Sequence, residues 1–267
     1  MHIVVCTKLV PDPEAAFSMF TVDEHAKRVI PAPGLRWVMS PFDEQAMEAA
    51  LRIREKQPDS RITVMTLGPD NARNALKHGL AMGADDGVFL SDTAFQEAGS
   101  YITAFLLAAA IRKLRGCDLV LTGRQAADWD AGIVGAGIAE TLAVPVISFA
   151  KDVQIDGGAV RVERVLDDGT EVVEADLPAV VTVSNELGAA RAPTLRETMR
   201  AARKPVVVWS GADLGWSASA AEAAGIRCVR ERVFLPVKNS RCEILEGASP
   251  EEQAASLARR LREARVI

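Results

Sequence analysis

Four acids and four glycines crowd one segment, residues 117–142, which reads CDLVLTGRQAADWDAGIVGAGIAETL. Residues 118–122 have the composition of a buried strand. Gly123 ends it, and a loop carrying Asp128 and Asp130 follows. Gly132, Gly135 and Gly137 then open a helix-like run. Strand, Gly-bearing loop and helix N-terminus together make a common cradle for an anion or a nucleotide. Backbone N–H groups point outward there, and glycine lets a phosphate come close. A tight turn followed by helix-packing glycines fits the same residues. The spacing is not that of Walker A, and no GxGxxG follows the first strand, so the ordinary P-loop and Rossmann fingerprints are absent. Asp128 and Asp130, two residues apart, have the chemistry of an acid/base pair, but a solvated or N-capping role suits them better. Trp129 between them is placed either to stack on a ring or to cover the end of a sheet. Lys8 follows the first strand. A lysine at the C-terminal edge of a parallel sheet meets a phosphate or flavin, or stands as a rim residue.

No other catalytic constellation is present. There is no GxSxG, HExxH or DFG-type set. The four cysteines, Cys6, Cys117, Cys228 and Cys242, lie far apart, as do the three histidines, His2, His25 and His78. None forms a ligand set, so no metal site is expected. Cys6 and Cys117 read as small core residues.

Composition is that of a soluble protein with a sizeable core, at 49% hydrophobic and 25% charged residues. A net charge of −5 argues against a nucleic-acid partner. Basic clusters at residues 196–204 and 227–232 are interrupted and read as solvated faces. The longest apolar run, residues 101–111, is too short to span a bilayer, so no membrane insertion is expected. The N-terminal residues MHIVVCTKLV carry no leader pattern. A cytoplasmic location is the resulting expectation.

The elements that must position these residues alternate in type. Residues 3–7 form an apolar run suited to a strand buried on both faces. Ser40-Pro41-Phe42-Asp43 opens a helix, with Ser at the N-cap, Pro at the first position and an acid at the third. Residues 61–67 read as a strand, 71–82 as a helix stopped by Gly83, 87–90 as a strand and 93–114 as mostly helix. This βαβα order predicts an α/β fold, a mostly parallel sheet between two helix layers. After Pro145 the pattern becomes antiparallel. Asp156-Gly157-Gly158 and Asp167-Asp168-Gly169 mark two turns that extend one sheet edge. Beyond Pro205 regularity fades. Ser249-Pro250-Glu251-Glu252 then reads as a capping box before Ala254, Leu257, Ala258 and Leu261 on one helical face. The expectation is one α/β domain over residues 1–225 and a C-terminal arm and helix over 226–267. That helix either packs home or serves a partner.

Several segments resemble the β subunit of electron-transfer flavoproteins, the family that includes FixA. Residues 162–182, VERVLDDGTEVVEADLPAVVT, are the most specific. They hold Arg164, the turn Asp167-Asp168-Gly169, Glu171 and a Leu-Pro-Ala-Val-Val-Thr strand. Val5-Cys6-Thr7-Lys8 with Val10-Pro11-Asp12, Ser40-Pro41-Phe42-Asp43-Glu44 and Leu80-Ala81-Met82-Gly83-Ala84-Asp85 agree with it. Gly123-Arg124-Gln125-Ala126 through Gly135 matches the nucleotide loop, and the C-terminal helix matches the arm that reaches the partner subunit.

The resemblance implies an adenine-nucleotide α-hydrolase-like fold and an electron carrier with no substrate reaction of its own. Such a subunit forms a heterodimer with an α subunit that holds the redox FAD. It carries electrons from an acyl-CoA or other flavin dehydrogenase to an acceptor such as a quinone oxidoreductase. It buries AMP structurally; in the bifurcating branch a second FAD takes that place. A non-redox adenine-nucleotide-binding protein of the same fold class is the alternative outside the family. The implied cofactor-binding residues are Cys6, Lys8, Ser40, Phe42, Asp43, Thr66, Leu67, Gly68, Gly123, Arg124, Gln125, Asp128, Asp130, Ala131, Gly132, Ile133 and Val134. Phosphates are expected at the N–H groups of residues 132–134. The chain departs from the pattern at residues 131–134, where Ala, Gly, Ile and Val replace most of the usual polar side chains. It departs again at residues 185–191, in the approach of the segment 186–200 that relatives use to dock dehydrogenases. Leu195 is either the candidate anchor there or a leucine packed under the loop.

Overall fold

The computed structural model describes residues 1–95, 98–216, 230–236 and 242–267. The first strand, β1 (His2–Thr7), leads into a small region of short strands: β2 (Leu9–Pro11), β3 (Phe20–Asp23), β4 (Arg28–Pro31) and β5 (Trp37–Met39). Next come α1 (Pro41–Lys56), β6 (Arg61–Leu67), α2 (Arg73–Met82), β7 (Asp86–Leu90), α3 (Ser100–Leu114), β8 (Leu119–Gly123) and α4 (Val134–Leu142). The antiparallel part holds β9 (Val146–Asp156), β10 (Ala159–Leu166) and β11 (Gly169–Asp176). It is followed by β12 (Ala179–Val183), α5 (Leu195–Ala201), β13 (Val206–Trp209) and, at the C-terminal end, α6 (Pro250–Glu263).

Nine strands form one sheet in the order β11-β10-β9-β12-β8-β1-β6-β7-β13. Only the β9–β10 and β10–β11 pairings are antiparallel; the other neighbours run parallel. The helices cover both faces. Ile3 and Val5 of β1 belong to a core shared with Met47 of α1 and Leu76 of α2. Val4 and Cys6 belong to a second core with Leu106 of α3 and Ile138 of α4. Alternation along one strand thus feeds two cores, which is why β1 reads as a continuous apolar run. The three-layer α/β reading and the antiparallel extension describe this sheet.

Several details differ from the sequence expectations. Residues 206–209 form an ordered strand that pairs with β7 at the far edge. The expected helix over 93–114 is a short 3₁₀ turn, Thr93–Phe95, and then α3. The hairpin pairs β2–β5 and β3–β4 carried no clear sequence signal. The Ser249 hydroxyl does cap α6, accepting from Glu252 N at 3.3 Å, but Glu252 reaches back to Ala248 N–H rather than to Ser249. No residue of α6 is buried, so its stripe of Ala254, Leu257, Ala258 and Leu261 is not packed home. The boundary at residues 225 and 226, Cys228 and part of the second basic cluster lie outside the described residues. Among the described residues no helix is long and apolar enough to cross a membrane.

Candidate functional site

The loops that follow β1, β6 and β8 come together at the C-terminal ends of the parallel strands, and the first turn of α1 joins them. Asp43 is the hub. The sequence places it in the first turn of α1, where an acid suits the helix dipole. Its carboxylate instead turns inward and is only 6% exposed. It accepts the Lys8 N–H at 2.8 Å and the Gly123 N–H at 3.1 Å, tying the ends of β1 and β8 together. Burial pushes its pKa up to about 7, against the pull of these two donors. Glycine is required at 123: a Cβ there would lie 2.6 Å from Asp43 Oδ1 and 2.7 Å from Phe42 Cβ.

Ser40 stands at the N-cap of α1, but its hydroxyl makes no cap bond. The hydroxyl accepts from Ala127 N–H at 3.4 Å, and Ser40 N–H donates to the Lys8 carbonyl at 2.9 Å. Lys8 then reaches across the site to Asp128, with Nζ 2.6 Å from Oδ2. Asp130 accepts from Gln125 Nε2 at 2.9 Å, and its own N–H donates to the Ala126 carbonyl at 3.0 Å. Asp128 and Asp130 are therefore held by separate partners. That arrangement fixes a loop and is not one of two acids sharing a proton.

The chain enters α4 through positive φ values at Asp130 (49°) and Gly132 (66°). Gly132 has room for a Cβ, whose one near atom would be the Arg124 carbonyl at 3.7 Å, an ordinary contact. Gly135 and Gly137 are packing glycines. A Cβ would fall 2.5 Å from Thr182 at the first and 2.8 Å from Ala104 at the second. Both readings of this glycine run thus hold, at different positions. Because a helix leaves its first N–H groups without intrahelical partners, the start of α4 offers a row of donors beside the open Gly132.

Arg124 supplies the cationic wall. Its guanidinium lies 4.9 Å from the Phe42 ring centre and 5.9 Å from that of Phe149. It donates to Ser184 Oγ at 3.2 Å, while its buried Nε has no hydrogen-bond partner. An orphaned guanidinium N–H, the open Gly132 and the α4 donors fit an anionic nucleotide. Trp129, Ile133 and Phe149 are exposed and give the site an apolar rim. Ala131 and Val134 bring backbone groups to this entry.

The remaining predicted residues have other placements. Thr66 is fully buried and shares a 2.6 Å hydroxyl contact with Thr7. Leu67 ends β6, and Gly68 just beyond it packs against Ala72 in the next turn. Cys6 lies in the core beneath the site, where burial pushes its thiol far up. Cys117 is at the opposite end of the sheet, its thiol raised to about 12. Neither sulfur is a ready nucleophile. Among the described residues no group of three or more His, Cys, Asp or Glu could hold a metal ion.

Leu195 stands apart. It opens α5, capped by a reciprocal Thr194–Glu197 box, and is 78% exposed, with Met199 one turn on at 68%. The segment before α5 is clamped to α1. Arg191 donates from Nε to Glu48 Oε2 at 2.8 Å, from a terminal nitrogen to Glu48 Oε1 at 3.0 Å, and to Glu55 at 2.7 Å. Sequence reasoning missed this clamp and also Phe149 and Ser184. For Glu48 a signal existed, an acid on the apolar stripe of α1 between Ala46, Ala49 and Ala50. For Phe149 there was none, since it sits at an irregularity between β9 and its neighbours with φ of 61°.

The family described as "Electron transfer flavoprotein domain" matches residues 29–214. The chain is 37% identical over 270 residues to "Caffeyl-CoA reductase-Etf complex subunit CarD" of Acetobacterium woodii, covering 100% of both chains. It is 35% identical over 260 residues to the electron transfer flavoprotein subunit beta of Megasphaera elsdenii, covering 95% of this chain and 94% of that one. To protein FixA of Azorhizobium caulinodans it is 35% identical over 244 residues, covering 88% and 85%. The chain belongs to the electron transfer flavoprotein family, in its β-subunit and FixA branch.

Proposed function

We propose that this chain is the β subunit of a cytoplasmic electron-transfer flavoprotein that pairs with an FAD-bearing α subunit and holds an adenine nucleotide of its own, AMP in the first reading. The observation that carries the nucleotide is the braced loop after β8: Asp43 ties its start to β1, Lys8 grips it at Asp128, and it delivers open donors at the start of α4. The N–H groups of residues 132–134 and the Arg124 side chain would hold the phosphates at the C-terminal ends of the parallel strands. The bound FAD of the heterodimer would supply the redox chemistry. This chain's part is to bind, orient and exclude solvent, with no substrate reaction of its own.

A second reading places FAD in this chain. Residues 131–134 offer backbone donors but no polar side chains, and the exposed rim of Trp129, Ile133 and Phe149 suits a larger aromatic ligand better than AMP. The similarity to a subunit of a caffeyl-CoA reductase–Etf complex favours the same reading. In either case residues 1–225 would form the nucleotide-binding body and 226–267 the arm. α6, with its uncovered stripe, would pack on the α subunit. Leu195 and Met199 on the basic α5 would dock a flavin dehydrogenase such as an acyl-CoA dehydrogenase. A quinone oxidoreductase would accept the electrons.

The test is to co-express the chain with an α subunit, denature the purified heterodimer and identify released nucleotides by chromatography and mass. One AMP beside one FAD supports the first reading, and two FAD per heterodimer the second. FAD at one per heterodimer with nothing else, even after incubation with excess AMP and FAD, refutes the nucleotide site.

A further inference from the structure

Trp129 projects from the loop after β8, 56% exposed, between the two acids that anchor that loop. One face of the exposed indole meets a cation from a residue distant in sequence. The Arg230 guanidinium lies 5.1 Å from the Trp129 ring centre. The same side chain donates to the Lys27 carbonyl at 2.8 Å, in the turn between β3 and β4. Arg230 is thus a bridge between the loop after β8 and the β3–β4 hairpin, reached from the C-terminal part of the chain.

The acids beside Trp129 do not compete for this guanidinium. Asp128 is paired with Lys8, and Asp130 accepts from Gln125. The cation therefore meets the indole face itself, the geometry in which a guanidinium and a ring attract through charge and quadrupole. Because Asp128 and Asp130 flank Trp129, holding the indole also holds the turn that leads through Gly132 into α4.

We propose that Arg230 is a positioning residue for the nucleotide loop: by gripping Trp129 and the Lys27 carbonyl it fixes the Asp128–Asp130 turn against the β3–β4 hairpin and slows release of the bound adenine nucleotide. The proposal rests on the nucleotide reading above. By linkage, the nucleotide in turn favours the gripped position of Arg230.

Full-length wild type, Arg230→Ala, Trp129→Leu and the double variant are loaded with radiolabelled AMP, and separately with FAD, and chased with unlabelled nucleotide. Arg230→Ala should release nucleotide about three- to fivefold faster, the scale of one exposed cation–π contact. Trp129→Leu should do the same, and the double variant should release no faster than the worse single one, because both changes remove one contact. A wild-type rate in Arg230→Ala, or effects that multiply in the double variant, overturns the proposal. A second readout is independent of the ligand. Acrylamide quenching of Trp129, taken as the difference between chains with Trp and with Trp129→Phe, should rise in the Arg230→Ala background. Unchanged quenching overturns the contact itself. If wild type binds neither nucleotide while quenching does rise, the nucleotide reading fails and the Arg230–Trp129 contact stands.

Discussion

Asparagine at position 43 would keep the shape of the buried Asp43 side chain and remove one acceptor. Asp43 takes two main-chain donors, Lys8 N–H on Oδ2 and Gly123 N–H on Oδ1. An amide nitrogen accepts neither, so one N–H would face a donor, at a cost of about 1–3 kcal/mol. Titration works against that loss. The folded carboxyl titrates near 7 against an ordinary value of 3.8, chiefly because it is buried. The native state therefore holds this proton more tightly than the unfolded chain does. Its contribution to stability is fully present below pH 3.8 and is lost as pH rises through 7. Between those values the folded chain holds one proton more than the unfolded chain, which costs about 1.4 kcal/mol of stability for each step of one in pH. Wild type should therefore lose about 2–3 kcal/mol between pH 5 and pH 8 that the asparagine variant does not lose. Urea denaturation of both proteins at pH 5, 6.5 and 8 measures this directly. The variant should gain on wild type as pH rises, the gain being nearly complete by pH 8. A stability difference that does not change with pH, or that moves in favour of wild type, refutes the reasoning about the buried carboxyl.

Three further outcomes follow from the same contacts. Gly123→Ala forces a methyl to within 2.9 Å of the Phe42 main-chain carbon as well as onto Asp43, and should cost about 1–3 kcal/mol in denaturation while loosening nucleotide binding. Arg191→Met strands the Glu48 carboxylate with Arg52 as its remaining ion-pair partner. Burial raises that carboxyl, and the Arg191 and Arg52 bonds outweigh it and hold it below the usual range. The substitution should cost about 2 kcal/mol, less than a fully buried pair because Arg191 is partly exposed, and hydrogen exchange in α5 should accelerate. Leu195→Glu should leave the unfolding free energy from urea denaturation within about 0.5 kcal/mol of wild type, since the side chain touches mostly solvent, yet slow reduction of the heterodimer's flavin by its dehydrogenase. Unchanged reduction would remove Leu195 from the docking surface.

What could be read in the sequence was mainly local. β1 and β6 were legible because strands buried on both faces are continuously apolar, and Gly157 and Gly169 marked the two antiparallel turns. Where an element depends on a distant partner, the reading fell short. β13 is only Val206–Trp209, and its order comes from β7, more than a hundred residues earlier in the chain. Asp43 had the sequence marks of a helix-start acid, and nothing local shows that its side chain turns toward Gly123. Ser40 likewise reads as a cap, but the hydroxyl is drawn off to Ala127 once the loop after β8 folds over it. In that loop Gly132 was legible as a turn glycine, while Gly135 and Gly137 owe their identity to the closeness of Thr182 and Ala104. α6 was found from its cap, yet a cap says nothing about what covers the opposite face.

The most direct test of the account is nucleotide stoichiometry in the purified heterodimer, measured on wild type and on Gly132→Val. Valine at Gly132 meets a φ of 66° and fills the one open glycine position beside the α4 donors. Wild type should release one adenine nucleotide beyond the FAD of the α subunit. The variant should keep the α-subunit FAD and lose the second nucleotide. If both proteins release the same single FAD, or if the variant retains the second nucleotide in full, the loop after β8 is not the nucleotide site.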